Sequence, residues 1–161
     1  MLTTVTTATP TGFLHLVVGY DGSPPASRAL DAAVRLLQDR AGRIDVVYVA
    51  HLSSLAMLSP GAIAEMESDF DEIEQQLRAA AAAQLRDRAV AWGFERRQGI
   101  VPGELIAMAT AIGDAGAGNA TGLGSTVAIV VGSSSHATHR VVGSVAVSLA
   151  RHSPVPLVIV P

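Results

Sequence analysis

The chain has 161 residues, is 49% hydrophobic and 4% aromatic, and carries a net charge of −3. This length predicts one domain with a sizeable core, and the acidic balance and low aromatic content argue against a nucleic-acid partner. The absence of cysteine excludes disulfides and cysteine metal sites, and the absence of lysine (all 11 Lys and Arg residues are arginine) excludes a P-loop lysine and a Schiff-base lysine.

Residues 1–12 lack the basic and hydrophobic regions of a secretory signal, and we expect them to form a short disordered leader. The domain is then expected to occupy residues 13–161. No apolar run reaches the roughly 18 residues that a membrane-spanning helix needs. We therefore expect a cytoplasmic protein without a membrane partner.

Apolar runs alternate with helical patterns along the whole domain. The predicted elements are strand Phe13–Gly19, helix Ala26–Asp39, strand Ile44–Ala50, helix Ile63–Trp92, strand Phe94–Val101, helix Leu105–Ile112, strand Thr126–Val131, helix Ser144–Arg151 and strand Val155–Val160. Ser23 is the expected N-cap of the first helix, before two prolines. Gly42 and Gly93 are expected to end the first and second helices.

This alternation predicts the α/β class, with a five-stranded, parallel, open sheet and helices on both faces. The expected strand order is 3-2-1-4-5, with the third strand at an edge. In such sheets the ligand lies beyond the carboxyl ends of the strands, where the strand order reverses. That point lies between Tyr20–Ser23, after the first strand, and Gly132–Ser144, after the fourth. The loop Gly113–Ser125 is expected at the opposite end of the sheet, and His51–Pro60 is either a lid or a variable loop.

Gly143-Ser144 opens a predicted helix, whose free N–H groups and positive dipole end favour an anion. His136 and His139 lack a third metal ligand at a recognisable spacing, and we expect no metal site. The alternatives are a solvated loop, or a polar contact to a bound anion by His136, His139 or Arg140. We predict no catalytic residue, because the sequence contains no G-x-S-x-G nucleophile elbow.

Three stretches of the sequence resemble the universal stress protein family. They are Asp21-Gly22-Ser23, Val131-Gly132-Ser133, and the C-terminal block containing Gly143-Ser144-Val145-Ala146 and Arg151–Val160. The resemblance implies the five-stranded, adenine nucleotide alpha hydrolase-like fold predicted above. It also implies a homodimer formed through the last strand, Val155–Val160. Many members bind ATP, so ATP or another adenine nucleotide is the implied ligand, with Mg²⁺ only as its companion.

ATP-binding members share the pattern Gly-x2-Gly-x9-Gly-Ser/Thr. Its first glycine corresponds to Gly132 and its last pair to Gly143-Ser144. The second glycine falls on Ser135, and seven residues separate Ser135 from Gly143 where the pattern has nine. The resemblance further matches Asp21 to the aspartate that contacts the nucleoside, and Val49 to an apolar adenine contact. The nucleotide-binding residues expected from the resemblance are Gly19, Asp21, Val49, Gly132, Ser133, Ser135, Gly143, Ser144 and Val145.

Each of these residues also has a purely structural interpretation. Asp21 can stabilise its own turn, Gly132 can end a strand, and Gly143-Ser144 can simply begin a helix. The expected function is reversible adenine-nucleotide binding by a stress-response protein. One alternative is a dimeric interaction module that binds no nucleotide. A weak ATPase is a further alternative, disfavoured because no positioned lysine and no Walker B aspartate are found.

Overall fold

A computed structural model of the chain describes residues 12–38, 40–51, 60–117, 125–133 and 143–161. Strands and helices alternate through these residues. The elements are β1 (Leu14–Gly19), α1 (Pro24–Leu37), β2 (Gly42–Ala50), α2 (Pro60–Leu85), β3 (Ala91–Gln98), α3 (Val101–Ala117), β4 (Thr126–Gly132), α4 (Ser144–His152) and β5 (Leu157–Val160).

The five strands form one parallel sheet in the order β3-β2-β1-β4-β5, which confirms the predicted fold class. In the centre of the sheet, Val17 of β1 pairs with Asp45 of β2 on one side and Ile129 of β4 on the other. The strand order reverses between β1 and β4. The loops that follow these two strands therefore begin at the same edge of the sheet.

Apolar side chains fill the space on both faces of the sheet, as the continuous apolar runs of the central strands predict. Leu16 and Val18 of β1 belong to a buried cluster with α1 and α2. Val17, between them, belongs to the cluster on the other face, with α3 and α4. The period-two alternation of β1 thus supplies both halves of the core.

Two glycines predicted to end helices lie instead in strands. Gly42 is the first residue of β2, because α1 already ends at Leu37 and Gln38 takes a positive φ of 40°. Gly93 lies inside β3, between Trp92 and Phe94, whose side chains pack on the core beneath α1 and α2. The predicted end of the second helix at Trp92 is therefore wrong, since α2 ends at Leu85.

The third helix is longer than predicted. Helix α3 begins at Val101, which the sequence placed in the third strand, and it continues through Gly113 to Ala117. Pro102 lies in its first turn, where a proline costs no hydrogen bond. The first residues of the predicted loop Gly113–Ser125 are therefore helical, and residues 118–124 lie outside the described residues.

Smaller differences affect the remaining boundaries. The second helix begins at Pro60 rather than Ile63, and the last strand begins at Leu157 rather than Val155. Residues 1–11 of the predicted leader and residues 52–59 of the possible lid lie outside the described part of the chain. Within the described part, no helix combines the length and apolarity needed to cross a membrane.

Candidate functional site

A cleft of about 200 Å³ opens at the carboxyl ends of β1 and β4. Seven of the nine predicted site residues line it: Gly19, Asp21, Val49, Gly132, Gly143, Ser144 and Val145. The backbone N–H of Ser133 donates to the carbonyl oxygen of Val160 at 2.7 Å, and Ser133 is not among the described lining residues. Ser135 lies outside the described residues, as do His136, His139 and Arg140.

The loop after β1 presents Asp21 to the cleft. The backbone N–H of Ser23 donates to Oδ1 of Asp21 at 3.0 Å, so Asp21 does stabilise its own turn. Gly22 has a φ of 77°, a conformation that glycine adopts without steric cost. Among the described residues, Oδ2 of Asp21 has no hydrogen-bond partner, which leaves it available to a hydroxyl group of a ligand.

Two helices begin beside the cleft, and their N-termini differ in available donors. At α1, the Ser23 hydroxyl accepts the N–H of Ala26 at 3.3 Å, as predicted for an N-cap, and Pro24 and Pro25 have no N–H. At α4, the N-cap is Gly143, which has no side chain to accept a hydrogen bond.

The first helical hydrogen bond of α4 runs from the N–H of Val147 to the carbonyl oxygen of Gly143, at 3.1 Å. The N–H groups of Ser144, Val145 and Ala146 therefore have no partner within the helix. All three residues line the cleft. The start of α4 is thus the donor-rich end of the site, and its dipole favours an anion there.

Apolar side chains form another part of the cleft lining. Val49, Val101 and Leu105 line the cleft from the end of β2 and the first turns of α3. A Cβ on Gly19 would lie 3.1 Å from Leu105 Cδ1 and 3.2 Å from Val131 Cγ1, so the glycine lets both side chains pack directly against its backbone. The sequence interpretation assigned neither Val101 nor Leu105 to the site. It placed Val101 in the third strand, although Pro102 is a helix-start signal, and it placed Leu105 in the following helix without a role in the cleft.

Gly132 has a packing role in addition to its place in the cleft. A Cβ at this position would overlap the carbonyl oxygen of Pro25, at the start of α1. Glycine therefore allows the start of α1 to lie directly against the end of β4. This contact fixes the start of α1 beside the carboxyl end of β4, where the cleft opens.

Three ionisable side chains form a cluster that contributes none of the described lining residues of the cleft. Asp45 of β2 is 7% exposed and accepts hydrogen bonds from His15 Nε2 and from Arg43 Nε, the latter at 2.8 Å. Burial alone would raise the pKa of Asp45, but the bonds from His15 and Arg43 outweigh it and lower the pKa. None of these three residues is among the described lining residues, so the cluster is structural.

Asp21 is the one charged residue among those described as lining the cleft. The described residues also contain no group of three His, Asp or Glu side chains arranged to hold a metal. Among the described lining residues, the groups that could donate to an anion are therefore uncharged ones such as backbone N–H groups, and not side-chain cations.

The chain matches the family model of the Universal stress protein family over residues 12–113, more than half of its length. No curated protein matches it. Among solved structures, a universal stress family protein from Burkholderia pseudomallei is 27% identical, with a TM-score of 0.60 over 91% of this chain and 95% of that chain.

Two other solved structures are similar in fold. Universal stress protein UspA from Lactobacillus plantarum is 18% identical, with a TM-score of 0.70 over 93% of this chain and 99% of that chain. A universal stress family protein from Arabidopsis thaliana, solved with AMP bound, is 11% identical, with a TM-score of 0.59 over 91% of this chain and 90% of that chain.

Proposed function

Because the chain belongs to the universal stress protein family, we propose that this stress protein binds an adenine nucleotide reversibly in the cleft between β1 and β4. The observation that carries the proposal is that one cleft combines Asp21, whose Oδ2 has no partner among the described residues, with the start of α4, which has no side-chain cap. The similar Arabidopsis protein with bound AMP supports the choice of ligand class.

The charges of the cleft suggest how the nucleotide would be oriented. Asp21 is negative, so it would accept hydrogen bonds from the neutral ribose hydroxyls and repel phosphate. The N–H groups of Ser144–Ala146 would donate to the phosphate, assisted by the helix dipole. The base would lie against Val49 and Leu105. AMP contains all three parts, and ATP with its accompanying Mg²⁺ is the larger ligand of the same class.

Isothermal titration calorimetry with AMP, ATP and adenosine tests this proposal. We expect saturable binding of AMP, and weaker binding of adenosine because it lacks the phosphate. Asp21→Asn should keep the turn, because an amide oxygen still accepts the N–H of Ser23, but should weaken AMP binding about tenfold by losing a charge-assisted hydrogen bond. Asp31→Asn on α1 makes the same charge change away from the described cleft and should bind AMP as the parent does.

We also propose that the chain forms a homodimer through the edge of β5. The two edge strands differ in character: β3 carries Glu95, Arg96 and Arg97, whereas β5 is Leu157–Val160 without a charge. Charges on an edge strand discourage pairing with another chain, and an apolar edge invites it. Light scattering at tens of micromolar should give twice the chain mass of 16.5 kDa. A mass of one chain would rule the dimer out.

A dimer that binds no nucleotide would favour the alternative function, an interaction module. Phosphate release from ATP, measured with malachite green, separates a weak ATPase from plain binding, and we expect none. We further propose a cytoplasmic location, in keeping with a chain that contains no cysteine. Fractionation of cells that express the tagged chain tests this location.

A further inference from the structure

Helix α2 contributes none of the described lining residues, yet it touches the loop that carries Asp21. A Cβ added to Gly22 would lie 2.6 Å from Leu77 Cδ2, so the Leu77 side chain covers the α-carbon of Gly22. Leu77 is partly buried against the core cluster beneath α1 and α2. One α2 side chain therefore contacts the residue directly after Asp21.

The described contacts hold this loop mainly at its two ends. The N–H of Tyr20 donates to the carbonyl oxygen of Val47 at 2.9 Å, which continues the sheet. At the other end, Ser23 caps α1. Asp21 and Gly22 lie between these two points, and the bond between Asp21 and Ser23 is internal to the turn. Leu77 thus provides a contact from outside the turn at its middle.

Leu77 is itself placed by anchors on either side along α2. On the C-terminal side, Leu85 is buried and Gln84 Nε2 donates to the carbonyl oxygen of Ser27 at 2.8 Å. On the N-terminal side, Arg96 of β3 reaches Asp71 at 2.7 Å and Glu74 at 3.5 Å. The position of Leu77 over Gly22 therefore depends on how α2 docks on the sheet.

We propose that Leu77 is a positioning residue for Asp21, so that docking of α2 and binding of nucleotide are energetically coupled. The inference rests on the proposed function, because Asp21 matters only if the nucleoside binds there. Since coupling between two equilibria is reciprocal, a docked α2 strengthens nucleotide binding, and bound nucleotide in turn stabilises α2 docking. The docking of α2 would thereby depend on whether the cleft is occupied, although α2 supplies none of the described lining residues.

Calorimetry on variants tests the first half of this coupling. We expect Leu77→Ala to weaken AMP binding about fivefold or more, the lower end of typical coupling. Leu77→Met keeps an apolar contact with Gly22 and should restore binding. Ile73→Ala, at an exposed position one turn earlier on the same helix, is the matched control and should bind as the parent does.

A double-mutant cycle separates positioning from general loosening of the fold. In the Asp21→Asn background, Leu77→Ala should cause little further loss, because both changes act through the same carboxylate. Additive losses would show that Leu77 acts in another way and would overturn the proposal.

Amide hydrogen exchange on the unchanged chain tests the second half and requires no variant. AMP should slow exchange in α2 around Leu77 as well as in the loop after β1. If AMP binds but leaves α2 exchange unchanged and Leu77→Ala binds normally, the coupling is wrong and the proposed function stands. If the unchanged chain binds no AMP at all, the proposed function itself fails.

Discussion

Replacing Gly143 by aspartate should stabilise the protein and weaken phosphate binding at the same time. Gly143 is the N-cap of α4, with φ −55° and ψ 153°, backbone angles that residues with side chains adopt freely. An aspartate there can turn its carboxylate onto the N–H groups of Val145 and Ala146. The variant would supply internally the acceptor that we assign to the phosphate of the nucleotide.

The size of both effects follows from the cap. Capping with aspartate instead of glycine gains a few tenths of a kcal/mol, and a negative charge at a helix start adds about 0.3–1 kcal/mol. For a chain of this size, a stability gain of that order raises Tm by about 1–4 °C. On the binding side, losing one charge-assisted hydrogen bond costs about 1.5–3 kcal/mol. The affinity for AMP should therefore fall at least about tenfold.

Thermal unfolding and calorimetry on three substitutions separate charge from capping. Gly143→Asn caps the helix without a charge and should weaken AMP binding less than Gly143→Asp. Gly143→Ala offers no acceptor and should bind AMP nearly as the parent does. Adenosine, which has no phosphate, should bind all variants alike. Normal AMP affinity in Gly143→Asp, together with a raised Tm, would refute the placement of phosphate at α4.

Three further predictions concern stability. Gly132→Ala should lower the free energy of unfolding by about 1–3 kcal/mol because its Cβ overlaps the Pro25 backbone. Gly103→Ala, in open space on α3, should raise the free energy of unfolding by about 0.5–1 kcal/mol. A Tm that rises in Gly132→Ala or falls in Gly103→Ala would contradict this packing. Because the folded pKa of Asp45 is lowered, its contribution to stability is complete above the unfolded pKa of about 3.9 and is lost as pH falls through the folded pKa. Asp45→Asn should therefore have a lower Tm than the parent at pH 7, and its Tm should fall less than that of the parent on acidification. An equal fall in Tm for the variant and the parent would argue against the cluster. Arg96→Gln should lower the free energy of unfolding, measured by urea at low salt, by about 1 kcal/mol, and by less in 1 M NaCl. A loss that does not depend on salt would show that the ion pairs of Arg96 contribute little.

The central strands and their order could be predicted because their patterns are redundant. TVAIVV in β4 is apolar throughout, which requires cover on both faces, and the alternation of strands with helices then permits few topologies. The start of α1 was equally clear, because Ser23 precedes two prolines and its cap is confirmed. Local chemistry and tertiary packing agree at these positions.

The third strand could not be placed correctly from sequence because Gly93 has a tertiary role. It resembles a helix terminator, but a Cβ there would overlap the guanidinium of Arg43, which lies with Asp45 on the neighbouring strand. Only the folded sheet brings Arg43 near Gly93, because Gly93 of β3 pairs with Asp45, two residues after Arg43 on β2. For the same reason, the partners of buried Asp45 were not evident in the sequence.

The residues of the cleft also divide into those that the sequence could predict and those that it could not. Asp21 and Gly143 stand next to strand and helix ends, so topology alone predicted that they meet. Val101 and Leu105 reach the cleft from α3. Only folding brings the start of α3 next to the ends of β1 and β4. Leu77 and Gly22 are 55 residues apart in the sequence, and no local sequence pattern indicates that they are in contact.

A crystal structure of the chain grown with AMP tests the central claim most directly. We predict electron density for AMP in the cleft, with its phosphate within hydrogen-bonding distance of the N–H groups of Ser144–Ala146 and its ribose at Asp21. An empty cleft at millimolar AMP, or AMP bound elsewhere on the protein, would contradict the account.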